Sequence, residues 1–230
     1  MRRCCVPSES GRPTYCREVS KTHFAASGPV RALSDVSLDV PAGAVTVVVG
    51  RSGSGKSTLL RLLACMDRPD DGEVVVDGVD VGAGTERSRR AVRRTAVGYV
   101  FSRPSDNLLP YLAAIEQVEL AAGMRRLPRT AAPALLERLG LSDRSRSLPV
   151  ELSGGERQRL AFAAAAVGNP RLLVADEPTA ELDSASVAGL LVVLTELADA
   201  GSGVVVATHD PRLLDIADSV VRLDGGRVVP

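Results

Sequence analysis

Apolar and polar positions follow two periods along this chain, one typical of buried strands and one typical of helices. Continuous apolar runs at 45–50, 171–176 and 203–208 are typical of strands buried on both faces. An alternating run at 35–40 and a run at 219–223 indicate further strands. Helical patterns separate the strands and cover 57–65, 154–167, 184–200 and 211–217. Because buried strands that alternate with helices form parallel sheets covered on both faces, the pattern predicts an α/β fold with a mainly parallel sheet.

Two parts of the chain depart from this alternation. The run at 73–81 predicts a hairpin that turns at Asp77–Gly78, and 96–101 reads as another strand. From about 102 to 152 strand signals disappear, and helical patterns cover 112–124 and 130–139. We therefore expect one domain over 18–230 with an inserted helical subdomain at about 102–152, a disordered tail at 1–17, and no further domain after residue 230.

Composition narrows the classes of partner. The 230 residues carry a formal net charge of +0 and only 3% aromatic side chains, which argues against a nucleic-acid partner. Five arginines within 86–95 are more typical of a solvated helix face. No run of about 18 apolar residues exists and the N-terminus lacks a signal-peptide core, so we expect a cytoplasmic protein without a membrane span. The cysteines fit no zinc spacing, and they are Cys4, Cys5, Cys16 and Cys65.

The segment GRSGSGKST at 50–58 matches the phosphate-binding pattern G-x-x-x-x-G-K-[ST] between a predicted strand and a predicted helix. Its glycines let backbone N–H groups surround phosphates, Lys56 can reach the β- and γ-phosphates, and the Ser57 hydroxyl can bind Mg²⁺. The candidate nucleotide-binding residues are Gly50, Arg51, Ser52, Gly53, Ser54, Gly55, Lys56, Ser57 and Thr58. A Gly/Ser turn with a chance lysine is the weaker interpretation. The pattern predicts a nucleoside triphosphate site.

Acidic residues follow the predicted strand at 171–176. Asp176 would stand at the carboxyl end of that strand, where it can hold hydrated Mg²⁺, and Glu177 is placed to activate water. The pair could instead cap the next helix. His209 likewise follows the strand at 203–208; alone it would more often be a structural histidine.

The stretch LSGGERQR at 152–159 remains unexplained by these motifs, and it carries a family resemblance. With GRSGSGKST, VADEP, AELD and THD in this order, the chain resembles the ATP-binding cassette of ABC transporters, a P-loop NTPase (RecA-like) fold with an N-terminal antiparallel β subdomain. The resemblance implies an ATPase that uses ATP and Mg²⁺. It implies a homodimer in which the signature residues of one chain contact ATP held by the other. The signature candidates are Ser153, Gly154, Gly155 and Glu156.

Catalytic roles follow from the resemblance. Glu177 would be the general base, His209 would contact the γ-phosphate, and Asp183 would link the two sites. His23, or with less support Phe24, lies where family members stack an aromatic ring on adenine; His23 could equally be a loop residue. Ser102 stands where the family carries a glutamine that contacts Mg²⁺ and the attacking water. We expect slow hydrolysis, because a serine is shorter and needs a bridging water.

The segments 62–74 and 103–120 are similar to the lipoprotein-release, macrolide-efflux and cell-division branch of the family. The resemblance implies separate permease subunits, contacted through 103–112, and a position at the inner face of the cell membrane. Leu108, Leu109 and Tyr111 could instead pack within the helical insertion. A regulatory cassette that gates a cell-wall hydrolase is the alternative function, and a soluble ABC protein in DNA repair or translation is a weaker one.

Overall fold

A computed structural model describes residues 12–26, 28–180 and 182–230, which form two sheets and a set of helices. The strands are β1 (Tyr15–Ala25), β2 (Gly28–Asp39), β3 (Val45–Val49), β4 (Asp71–Val76), β5 (Val79–Asp80), β6 (Val97–Val100), β7 (Leu172–Asp176), β8 (Gly203–Ala207), β9 (Ser219–Asp224) and β10 (Arg227–Val229). The α-helices are α1 (Lys56–Leu63), α2 (Glu86–Thr95), α3 (Ala114–Met124), α4 (Ala131–Arg138), α5 (Gly154–Ala166) and α6 (Ser184–Asp199). Short 3-10 helices cover Pro104–Asp106, Ser142–Arg144, Pro149–Glu151 and Pro211–Ile216.

The larger sheet has the order β10-β9-β3-β8-β7-β6, and its strands are parallel except for the antiparallel pair β9–β10. Alternate residues of β3 enter two separate cores. Val47 packs in the core on the face that carries α5 and α6, which also contains Phe162. Val48 packs with Leu59 of α1 in the core on the other face. The predicted parallel α/β sheet, covered on both faces, is therefore confirmed.

The smaller sheet is antiparallel and has the order β2-β1-β4-β5. The predicted hairpin is present, since Val76 pairs with Val79 across a turn in which Asp77 and Gly78 have φ of 50° and 73°. The strand expected at 35–40 is longer than predicted, because β2 starts at Gly28. The extra length lies at the edge of the sheet, where a proline such as Pro29 leaves no ladder hydrogen bond unmade.

Three further features of the structure differ from what the sequence predicts. The helix expected at 211–217 is a 3-10 helix over Pro211–Ile216, a helix type that occurs in short pieces, and Asp210 caps it by accepting from Arg212 N. β10 was not predicted, and β1 begins at Tyr15, inside the segment assigned to the tail. The rest of that tail, at 1–11, lies outside the described residues.

The segment between β6 and α5 contains α3 and α4 and no strand. Arg125 joins this segment to the main sheet, because its guanidinium donates to Val97 O (2.9 Å), Ala165 O (3.0 Å) and Val167 O. Burial lowers the pKa of Arg125 to about 10. Arg138 also pairs with Glu196 of α6. These contacts fix the helical segment against β6, the end of α5 and α6.

Two smaller observations complete the fold. Cys16 and Cys65 are free and buried, and burial raises the pKa of each thiol to about 12. Cys4 and Cys5 lie outside the described residues. Within the described ranges, no helix combines the length and apolar character that a membrane crossing needs.

Candidate functional site

The loop between β3 and α1 is shaped by glycines that no larger residue could replace. Gly55 precedes α1 with φ 102°, and a Cβ there would lie 2.4 Å from Ala32 O. A Cβ on Gly50 would lie 2.3 Å from Leu223 O. The backbone of this loop therefore passes close to its neighbours, and the first N–H groups of α1, which lack an intrahelical partner, point into the loop.

The side chains of the loop fit a bound polyphosphate. Lys56 Nζ donates to Gly50 O (2.7 Å) and Arg51 O (3.2 Å), so the ammonium lies inside the loop. Ser54 Oγ is buried and has no hydrogen-bond partner within the described part of the chain. Gly55 provides no side-chain cap for α1. A cation, a buried hydroxyl and a helix N-terminus thus converge where an anion would be bound.

Asp176 and Ser57 supply a pair of oxygen ligands. Asp176 ends β7 and is buried. Its pKa is raised, chiefly by burial and also by the charge of Glu177, while a hydrogen bond from Ser57 and the charge of Lys56 offset part of that rise. No group of three His, Cys, Asp or Glu residues able to hold a metal occurs in the described ranges. One carboxylate and one hydroxyl suit Mg²⁺, which usually keeps waters and substrate phosphates as its other ligands.

Glu177 and His209 form a direct contact at the ends of β7 and β8. His209 Nδ1 lies 2.9 Å from Glu177 Oε2, and His209 N donates to the same oxygen at 3.2 Å. Glu177 has φ 47°, a left-handed conformation that is uncommon for residues other than glycine, and its N–H donates to Ala207 O at 2.8 Å. The carboxylate is therefore held at a fixed place beside Asp176.

These groups line one open cleft of about 720 Å³. Besides the loop 50–58, the cleft is lined by Ser102, Asp176, Glu177 and His209. It is also lined by residues that sequence reasoning missed, which are Val30, Arg31, Ala32 and Ala180. The first three come from β2, and no local motif identifies them, because only the folding of the antiparallel sheet beside the loop brings them there.

His23 lies at the edge of the same loop. Its Nε2 is 3.2 Å from Thr58 Oγ1, near the end of β1. Phe24, the weaker candidate for adenine stacking, is 88% exposed. The contact with Thr58 places the His23 ring beside the phosphate loop.

The signature residues are placed elsewhere. Ser153 caps α5, with Oγ accepting from Glu156 N (3.2 Å) and Glu156 Oε2 accepting from Ser153 N (2.7 Å). Arg144 also donates to Glu156 at 3.2 Å, so that carboxylate is engaged within the chain. None of the residues 153–156 is among those that line the cleft. Gly154 and Gly155 form the first turn of α5, and the N-terminus of this helix is a second place suited to an anion.

Asp183 caps α6 in a similar way. Its Oδ1 accepts from Ser186 N at 2.8 Å, and Ser186 Oγ accepts from Arg159 of α5 at 2.6 Å. The hydrogen bonds to Ser186 lower the pKa of Asp183. Arg159 therefore connects the helix that carries the signature with the start of α6.

A nucleotide-sized cleft at the carboxyl ends of parallel strands, with a lysine-containing glycine loop and a strand-end carboxylate pair, defines a P-loop NTPase. Residues 33–180 match the model of the ABC transporter family (ABC_tran). The chain therefore belongs to the ABC transporter family and is an ATP-binding ATPase subunit of that family.

Relatives and solved structures agree with this assignment. The chain is 41% identical over 227 residues to the macrolide export ATP-binding/permease protein MacB 1/2 of Paracoccus denitrificans; this covers 96% of the chain and 34% of that relative. It is 38% identical over 229 residues to the lipoprotein-releasing system ATP-binding protein LolD of Bordetella pertussis, covering 97% and 98%. The dimeric ATP-binding cassette MJ0796 in a post-hydrolysis state with ADP and Pi superposes with a TM-score of 0.89 at 33% identity, covering 94% and 97%. The chain thus spans about a third of the MacB relative and nearly all of LolD.

Proposed function

We propose that two copies of this chain close head-to-tail around two Mg·ATP and that this movement drives a separate membrane permease. One observation carries the proposal: the cleft contains a complete phosphate loop and catalytic carboxylate, whereas the signature helix start lies outside it. The N-terminus of α5, which is also suited to an anion, would then complete the cleft of another copy. The dimeric state of the MJ0796 cassette supports this arrangement.

In this proposal the residues in and beside the cleft have different roles. Lys56 and the N–H groups of the loop 50–58 bind the phosphates, and His23 contacts adenine. Ser57, Asp176 and, through water, Ser102 would hold Mg²⁺, which would supply positive charge beside the phosphates. Glu177 accepts the proton of the attacking water, and His209 orients Glu177 and contacts the γ-phosphate.

The signature residues act on the nucleotide held by the other copy. Ser153 and the N–H groups of Gly154 and Gly155 bind the γ-phosphate there, with Glu156 holding the turn in place through its capping bonds. Asp183 is connected to this helix through Ser186, which bonds both Asp183 and Arg159, and it links the two sites. Hydrolysis removes the bridging phosphate and reopens the dimer.

Ser102 makes hydrolysis slow. Loss of one polar contact to a transition state typically costs about 2.7–4 kcal/mol, and a bridging water recovers part of it. Lys56, Asp176 and Glu177 are all present in the cleft, so activity is reduced and not abolished.

The permease binds at a groove of about 430 Å³ that includes Leu108, Pro110 and Val150. Beside it, Tyr111 is 70% exposed, and Val150 itself is 81% exposed, which is unusual for apolar side chains without a partner. The names of the MacB and LolD relatives support export or mechanical work outside the membrane. The chain would then lie at the inner face of the cell membrane, held there by the permease.

Mixing two inactive variants tests the shared site. Glu177→Gln removes the base but leaves the signature intact, and Ser153→Arg blocks the signature but leaves the cleft intact. A heterodimer of the two contains one complete site. If exchange between copies is free, a 1:1 mixture recovers roughly a quarter of the wild-type ATP turnover, because half of the dimers carry one of two sites.

Each variant alone and a mixture of Glu177→Gln with a Glu177→Gln, Ser153→Arg double variant are the controls. All three controls remain inactive in the proposal, because no dimer in them contains an intact base opposite an intact signature. Lack of recovery in the first mixture, with heterodimers demonstrated by differential tagging, contradicts the shared site.

A further inference from the structure

The residues on either side of Ser102 are fastened to one side chain. Asn107 Oδ1 accepts from Phe101 N at 2.8 Å, and Asn107 Nδ2 donates to Phe101 O at 3.2 Å and to Arg103 O at 3.1 Å. Asn107 therefore uses both ends of its amide on the backbone that brackets Ser102. Ser102 itself lines the ATP cleft.

The turn that carries Asn107 is closed by its own contacts. The 3-10 helix Pro104–Asp106 is held by Asp106 N donating to Arg103 O at 3.1 Å and by Asn107 N donating to Pro104 O at 3.1 Å. Arg103 Nε also donates to Asp106 Oδ2 at 3.1 Å. The amide of Asn107 thus returns to the end of β6 from a short and locally braced turn.

Phe101 is fixed from a second direction. Its ring meets the ring of Tyr99 edge-to-face, with a centroid separation of 4.6 Å. Tyr99 is in β6, whose register with β7 pairs it with Val174, two residues before Asp176. The clamp formed by Asn107 is therefore built on the strand beside the one that carries the catalytic carboxylates.

We propose that Asn107 is a positioning residue for ATP hydrolysis, which holds the hydroxyl of Ser102 where it can order water beside Asp176 and Glu177. This inference rests on the proposed function. A serine has a single side-chain torsion before its hydroxyl, so a fixed backbone limits the hydroxyl to three staggered positions. Clamping Phe101 and Arg103 fixes that backbone, and misplacement of a catalytic contact by about 1 Å can cost up to about 10²-fold in rate.

A double-mutant cycle on the full chain tests the clamp. The four proteins are wild type, Asn107→Ala, Ser102→Ala and the double variant, and kcat and KM for Mg·ATP are measured for each. We expect Asn107→Ala to lower kcat about 10-fold with KM changed less than about 2-fold, because the lost contact acts on the transition state and not on ATP binding. In the Ser102→Ala background the same substitution changes kcat less than about 2-fold, because no hydroxyl remains to be positioned.

Hydrogen exchange supplies a readout that is independent of turnover. Asn107→Ala removes the acceptor of the Phe101 N–H, so amide hydrogen exchange in a peptide covering 97–104 accelerates at least about 10-fold. Asn169→Gly is the matched control: it removes an amide that bonds Ala200 O and the Ser202 hydroxyl, and glycine keeps the left-handed backbone found there. The control leaves kcat and the exchange of 97–104 unchanged.

Equal loss of kcat from Asn107→Ala in both backgrounds, or unchanged exchange of 97–104, overturns the inference. If Ser102→Ala leaves kcat at the wild-type value, the role of Ser102 fails and the inference with it, while the shared ATP site stands. Failure of the proposed function has a different signature, which is the absence of recovery in the mixed-variant experiment.

Discussion

His209 contacts one carboxylate oxygen of Glu177 twice: Oε2 lies 2.9 Å from His209 Nδ1 and accepts from His209 N at 3.2 Å. The two residues follow neighbouring parallel strands, β7 and β8, whose carboxyl ends meet at the ATP cleft. Glu177 also has a left-handed backbone, which its N–H bond to Ala207 O supports. Glu177, the proposed base, is therefore positioned by the segment after β8 and not by its own loop alone.

His209→Ala is expected to lower kcat by about 10²-fold, because the general base loses the group that orients it. We expect the KM for ATP to change much less than kcat, since Lys56 and the N–H groups of the loop 50–58 supply most of the phosphate contacts. His209→Gln, which can still donate to Oε2, recovers part of the rate. Steady-state kinetics of the three proteins check this, and a rise in KM without a fall in kcat would show that His209 serves binding instead.

Ser102→Gln is expected to raise kcat by about 10-fold or more, since the longer side chain reaches the cleft without a bridging water. ATP turnover of wild type and variant is measured with and without the permease. Equal rates under both conditions would remove the explanation of slow hydrolysis.

Much of this site follows from local sequence, because a phosphate loop needs glycine, lysine and hydroxyl residues at fixed spacing. Lys56 and Ser57 were predicted for that reason and Asp176 from its place at the end of an apolar strand, and all three line the cleft. His209 and Ser153 required the family resemblance, since one histidine or one serine has no chemical signature by itself. The contact of His209 with Glu177 could not be predicted, because it depends on the adjacency of β7 and β8.

Other features depended on long-range folding. Arg31 reaches the cleft only because the antiparallel sheet lies against the phosphate loop, and β10 forms only by pairing with β9. Side-chain amides that bond to distant backbone groups also leave no pattern in the sequence. Gln117 is one example: it is buried, accepts from Leu109 N and donates to Leu109 O and Leu112 O. Side chains of this kind bond to backbone groups, whose positions sequence periodicity does not give.

Val150→Asp is expected to abolish co-purification with the permease and its stimulation of ATP turnover, because a charge would replace an exposed apolar side chain in the groove. Basal turnover is unaffected. Val192→Asp is the matched control, since Val192 is also an exposed valine (56%) but lies on α6. If both variants bind the permease as wild type does, the permease contacts another surface.

Asp210 gives a stability that depends on pH. Its carboxylate accepts from Arg212 through both oxygens, at 2.9 Å to Oδ1 and 2.7 Å to Oδ2. The Arg212 hydrogen bonds lower the pKa of Asp210 to about 2. Because the folded pKa lies below the unfolded value of about 3.9, the stabilisation is fully present above about pH 4 and is lost as the pH falls through the folded pKa.

Asp210→Asn retains the side-chain oxygen that caps the 3-10 helix but removes the charge. We expect the free energy of unfolding to fall by about 1 kcal/mol at pH 7, a value reduced for the solvent exposure of Arg212. The difference between the two proteins shrinks toward pH 2. Urea unfolding at neutral and acidic pH measures it, and a constant difference would show that the effect does not come from the charge of Asp210.

The most direct test is the structure of Glu177→Gln with bound Mg·ATP, in which hydrolysis cannot reopen the dimer. The account predicts a two-fold dimer in which Ser153 Oγ and the N–H of Gly155 lie within about 3.2 Å of γ-phosphate oxygens bound by Lys56 of the other copy. A nucleotide-loaded assembly in which Ser153 faces solvent, with no phosphate of a second copy near it, would contradict the account.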